Sequence, residues 1–164
     1  MRVTRIINLL SDYLSTPVIL TNQAAPRPPY PYIGITETIQ YSPGSEIIEN
    51  EPLPEDIKQV YISQPTFTLS VTAYGKEFDE TIDLAERAHA WFRFVGRDAL
   101  KQDGFVVVNV SDITNRDSLL IDDYERRRGF DVQIRFTERI ERVIEEIKKV
   151  KGKMNNLPFE AEKG

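Results

Sequence analysis

Residues 130–136, "FDVQIRF", alternate without a break, with Phe130, Val132, Ile134 and Phe136 on one side and Asp131, Gln133 and Arg135 on the other. Successive side chains of an extended chain point to opposite faces, so this is a strand with one apolar and one polar face. Something apolar has to cover it. Upstream, Phe67, Leu69, Val71 and Ala73 alternate with Thr66, Thr68, Ser70 and Thr72, within a run from Ile57 to Tyr74 rich in β-branched and aromatic residues. Pro65 lacks an amide donor and marks an edge, a bulge or a break between two strands there.

Working outward, "YIGITETIQY" (32–41) sets Ile33, Ile35, Glu37 and Ile39 against Gly34, Thr36, Thr38 and Gln40 and reads as a further strand. Pro26, Pro28, Pro29 and Pro31 lead into it with φ fixed and no donors, so they belong outside any central ladder. "FVVVNV" (105–110) is a continuous apolar run of the kind found in strands covered on both faces, which makes it the expected central strand.

Two helices supply the cover. Val3, Ile6, Ile7, Leu10 and Leu14 recur at helical spacing until Ser15-Thr16-Pro17 stops them, and Val18–Leu20 is then briefly extended. Between Asp79 and Lys101 a long helix is expected, with Ile82, Ala85, His89 and Phe92 beside Leu84, Ala88, Trp91 and Val95 in adjoining stripes. After Thr137, Ile140, Val143, Ile144, Ile147 and Val150 fit a helix with favourable Glu138/Arg142 and Glu145/Lys149 spacing, an extended continuation being the alternative. The sum is an α+β fold: a mixed, mainly antiparallel sheet flanked by an N-terminal helix and one long central helix. One domain over residues 1–150 and a flexible charged tail over 151–164 are expected.

Two polar stretches remain. "SEIIENEPLPED" (45–56) holds five acids, two prolines and no base, and reads as an exposed loop or hairpin connection. Residues 111–129 read as a long charged connection carrying one short strand, with Leu119-Leu120-Ile121 its only apolar knot.

The chain has 164 residues, enough for about one domain that folds without staples. Having no cysteine, it has no disulfide, thiolate metal site or thiol nucleophile. A net charge of −5 argues against a surface built to neutralise phosphates. The N-terminal apolar stretch is short and interrupted for a signal peptide, and no run approaches the ~20 residues of a membrane span, so cytoplasmic synthesis is expected.

A catalytic constellation is not apparent: GxSxG, P-loop, GxGxxG and HExxH patterns are missing, and no cofactor or metal is implied. His89, the single histidine, lies on an apolar stripe and reads as a packed residue; as a hydrolase base it needs a positioned partner. Asp112, Asp117, Asp122 and Asp123 lack the spacing and glycine of an EF-hand and read as solvated acids. Arg126, Arg127 and Arg128 adjoin Asp122, Asp123 and Glu125, so a salt-bridged surface is preferred to a phosphate site. The prolines satisfy PxxP twice, but Arg27 lies inside both motifs, neither has an outer basic flank, and Tyr30, Tyr32 and Ile33 read as buried; a structural lead-in is preferred, with a monomeric adaptor presenting residues 26–31 as the alternative.

The N-terminal helix, "PRPPYPYIGIT" (26–36), "QPTFTLSVTAYGK" (64–76), "FDETIDLAERAHAWF" (78–92), "GFVVVNVSDITNRDSLLIDDYERRRGFDVQIRF" (104–136) and the charged tail together resemble the phage neck or tail terminator proteins. The likeness spans about residues 2–147 and is most specific in "YERRRGFDVQIRF" (124–136). It implies a structural virion protein at the head-proximal end of the tail, a ring, usually a hexamer, that stops tube growth and meets the tail tube protein and the head connector. DNA then passes through without sequence-specific binding, and an acidic lumen would let it slide. Assembly surfaces are expected at 45–56, 112–128 and the C-terminal segment, with Asp122, Asp123, Arg126, Arg127 and Arg128 setting register.

Overall fold

The structure, a computed structural model, describes residues 1–120, 123–145, 149–154 and 157–162, with side chains described through residue 145. The chain forms two compact units, one of residues 1–44 and 65–136, the other of residues 45–64 and 137–164.

In the first unit, α1 (Arg2–Leu14) buries Val3, Ile6, Leu10 and Leu14 as their spacing requires. It ends where Ser15 turns left-handed (φ 51°) and returns its amide to the Ser11 carbonyl. β1 (Val18–Leu20) lies parallel to β2 (Tyr32–Ser42). β5 (Thr66–Gly75) and β9 (Tyr124–Arg135) pair antiparallel over ten residues, with Val71 opposite Phe130 and Leu69 opposite Val132. The order is β1-β2-β5-β9-β6, β6 being Val106–Val110, while β7 (Thr114–Asn115) and β8 (Ser118–Leu119) pair with the first half of β9. Among the described pairings only β1–β2 is parallel, which gives the α+β fold, mainly antiparallel, that the alternation predicts.

Helices cover the face that carries Ile33, Ile35, Phe67, Leu69, Val71, Phe130, Val132 and Ile134, all buried. α2 (Phe78–Ala90) packs on β5 and β9. The helix predicted over Asp79–Lys101 does not run through. α2 continues as a π-helical turn (Trp91–Val95) in which the Gly96 amide reaches the Trp91 carbonyl, and α3 (Arg97–Gln102) starts afresh. The Trp91 ring lies over Gly96, where a Cβ would come within 2.2 Å of it. The extra residue in the turn rotates Val95 out of its predicted stripe, so that it is exposed together with Phe94.

A second correction concerns "FVVVNV". β6 is an edge strand, not a central one: Val107 points into the core, while Val106 and Val108 face outward. A continuous apolar run does not by itself tell how many faces are covered, and the clean alternation of β5 and β9 marks the true centre.

In the second unit, β4 (Asp56–Ser63) lies between β3 (Glu46–Pro52) and β10 (Glu138–Glu145), antiparallel to both. The acidic stretch read as loop or hairpin connection is thus itself a strand, its turn confined to Leu53–Glu55 and closed by the Leu53 amide on the Asp56 carbonyl. Residues 138–145 take the extended alternative, because pairing to β4 over eight residues outweighs the helical spacing. Ile147 lies outside the described residues. β11 (Lys149–Met154) and β12 (Leu157–Glu162) pair with one another.

Candidate functional site

The charged stretch expected to carry assembly lies at the β7–β8–β9 end of the first unit. "YERRR" is the opening of β9, not part of a loop, and strand geometry sends its side chains to alternate faces. Arg126 and Arg128 share the helix-bearing side with Phe130, whereas Glu125 and Arg127 share the other side with Tyr74 and Tyr32, through the pairings Arg127↔Tyr74↔Tyr32. The arginine trio is therefore two sites, back to back.

On the helix side, Asp117 is the hub. Its carboxyl, 6% exposed, accepts the Arg127 amide at 2.8 Å, Arg126 Nη1 at 3.2 Å, and Arg128 Nη1. Arg128 also donates to Asn115 Oδ1 at 3.0 Å and stands over the Phe78 ring, as Arg126 does over Phe78 and Tyr124. Burial by itself would raise the Asp117 pKa; the Arg127 amide and the Arg128 and Arg126 guanidinium groups reverse this and hold it below the usual carboxylate range.

On the opposite face Glu125, fully buried, pairs with Arg127 at 2.6 Å and with Arg27 at 3.8 Å, and accepts the Tyr30 hydroxyl. Tyr30, Tyr32 and Tyr74 stack in sequence at 5.8 and 4.9 Å, with Lys76 over the first ring and Arg127 over the last. Lys76 in turn bridges to Asp123. This stack answers to the proline lead-in: the tyrosines of "PRPPYPY" are used inward. A cleft of about 280 Å³ opens beside it between Leu20, Arg27, Tyr32, Tyr74 and Arg127. Further along β9 on the same face, Arg116 bonds Ser70, Thr72 and Asp131 over Gly129, where a Cβ would meet the guanidinium at 2.6 Å.

The bond to Glu125, with burial second, pushes the Tyr30 pKa up to about 12 from an ordinary 10.0. Because the folded value is the higher, this contribution to stability is complete below pH 10 and is lost as pH rises toward 12. Tyr30→Phe is expected to cost about 1–2 kcal/mol at neutral pH. It should also flatten the alkaline limb of a stability–pH curve measured by denaturant unfolding. An unchanged alkaline limb would mean that Tyr30 does not hold Glu125.

Among the named residues, Asp117, Arg126 and Arg128 meet in one cluster and Arg127 in the other; Asp123 joins through Lys76, and Asp122 lies outside the described residues. Sequence reading missed Arg27, Tyr30, Tyr74, Asn115 and Arg116 as partners, since strand pairing and a loop crossing bring them in from afar. His89 directs Nε2 to the Ser111 carbonyl at 2.9 Å and sets its ring edge-on to Phe130 at 4.9 Å. That pairing leaves the nitrogen bonded to backbone and not to a second side chain. Among the described residues no three His, Asp or Glu side chains converge as for a metal ion, and no helix is long and apolar enough to cross a membrane.

At this end of the first unit the charged side chains are bonded across the protein's own strands. A family model described as phage neck terminator protein matches residues 4–157, and the chain belongs to that family. No curated protein matches the chain.

Proposed function

We propose that the chain assembles as a closed ring, a hexamer as the resemblance implies, which caps the tail tube and joins it to the head connector. The observation that carries this reading is the family match over residues 4–157. Its mechanism is geometric: a heterologous contact repeated by rotation closes on itself, so one face matches the last ring of the tube and the other the connector. The two networks around Asp117 and Glu125 support it by holding the β8–β9 end in one shape, from which Leu119, Tyr124, Asp123 and Arg126 reach solvent. Arg127 and Arg128 act from beneath, as internal partners of Glu125 and Asp117. The acids of β3 and the net −5 suit a bore through which DNA slides.

Light scattering over a range of concentration and salt, with negative-stain images, tests the ring. A mass of about six copies is expected, alone or on isolated tails. A chain that remains monomeric and leaves tail ends bare at every concentration overturns the reading.

A further inference from the structure

Glu125 is one carboxylate between two guanidinium groups. Arg127 grips it at 2.6 Å, whereas Arg27 stands off at 3.8 Å, its side chain 66% exposed, and makes no hydrogen bond among the described residues. Both arginines line the cleft of about 280 Å³ beside the tyrosine stack, and they are the only charged residues that do. Its apolar walls include Leu20, Pro26, Tyr32 and Tyr74. The volume lies below the ~300–1,000 Å³ of a site for a drug-sized ligand and suits one or two side chains. One positive charge is left over there, so the cleft is made for a carboxylate carried next to a small apolar group.

The chain offers that combination in the turn between β3 and β4. Pro52, Leu53, Pro54 and Glu55 are all exposed, which sets a leucine between two prolines with the acid beside it. Glu51 is taken by Lys58 and Arg139, but neither Glu55 nor Asp56 forms an ion pair among the described residues. Burying the two prolines desolvates no amide donor, and proline rings dock well on aromatic walls. Other unpaired acids, such as Asp79, Glu80 and Asp83, stand on α2, and a helix about 10 Å across does not enter a cleft of this size.

We propose that the β3–β4 turn of one copy enters this cleft on the next, with Glu55 meeting Arg27 and Arg127 while Leu53 and its prolines lie against Leu20, Tyr32 and Tyr74. This rests on the ring reading and names its contact. Turn and cleft are unlike surfaces, so each copy gives one and receives one, as a contact repeated by rotation requires.

Because the chain has no cysteine, introduced thiols report contacts cleanly. Ala25, exposed at the cleft, and Pro54 in the turn flank the contact without carrying it. Ala25→Cys and Pro54→Cys chains are prepared separately, checked for native circular dichroism, and treated with a short bis-maleimide singly and mixed before assembly, while light scattering follows the mass. A cross-linked dimer at least tenfold more abundant in the mixture than in either single sample is expected. Adding Glu55→Lys to the Pro54→Cys chain should cut that yield at least fivefold. Equal cross-linking in a single sample, or a mixture whose yield Glu55→Lys leaves unchanged, overturns the proposal. An intact ring with no cross-link also overturns it, while the ring reading stands and the cleft is left to an acid of another protein. A monomer in light scattering, on tails as well as free, overturns both.

Discussion

Truncating Phe130 to alanine is expected to lower stability by about 3–5 kcal/mol, the range for removing a buried aromatic ring and leaving a cavity. Phe130 is 1% exposed at the middle of β9, opposite Val71 of β5. Its ring takes the edge of His89 at 4.9 Å and of Phe92 at 6.1 Å. It therefore joins the sheet to α2 at the one strand that also carries both charged networks. Against a total of about 5–15 kcal/mol for a domain, the loss takes a large share of the stability. Denaturant unfolding should show a lower midpoint with an unchanged slope, the sign that stability and not compactness has moved. A cost under about 1 kcal/mol would mean that the cavity collapses freely and that helix and sheet are not packed through this ring.

What was legible follows from which pattern had one reading. The alternations 66–73 and 130–136 permit only a half-covered strand, and these became β5 and β9, the centre of the sheet. The spacing of Val3, Ile6, Leu10 and Leu14 likewise permits only one helical face. Elsewhere two readings competed. Ile140 and Ile144 sit on one face of a strand as well as of a helix, and β4, far away in sequence, decided between them. The break at Gly96 depends on the Trp91 ring lying against it, a contact that no periodicity contains. For the charged site, acids and arginines adjoining one another pointed to a salt-bridged surface, but the pairs lie inside: Glu125 is fully buried with Arg127, and Asp117, read as a solvated acid, is the buried partner of Arg126 and Arg128. That the trio would divide between two faces required knowing that 124–128 is strand, and its charges hid this, since the apolar half of the alternation begins only at Phe130. The tyrosine stack was half legible: beside the prolines Tyr30 and Tyr32 read as buried, and Tyr32 is buried while Tyr30 is half-buried, but Tyr74 and Arg127 enter by register alone.

Asp117→Asn is expected to cost about 3–5 kcal/mol, because breaking a buried pair strands the remaining charge. The asparagine keeps the shape and one acceptor, but Arg128, 9% exposed, is left with Asn115 Oδ1 and the Arg127 carbonyl, both neutral. The pH dependence separates this cause from mere repacking. Asp117 titrates below its ordinary 3.8 in the fold, so its contribution is present above that value and is lost as pH falls through the folded pKa. The gap between native protein and variant should therefore be full at pH 7 and narrow steadily below about pH 4; a gap of the same size at pH 3 as at pH 7 would sink the electrostatic account. A second readout is local. β7 and β8 are two residues each, and Asp117 between them ties the Arg127 amide and two guanidinium groups to that margin of β9. In the variant the Arg116 amide, which bonds the Arg127 carbonyl at 2.9 Å, should exchange with solvent much faster than amides of β5. If assembly uses this end of the molecule, loosening it disperses Tyr124, Asp123 and Arg126 over many arrangements. Ring closure then has to order them at its own cost, so the variant should assemble more weakly than its remaining stability alone would require.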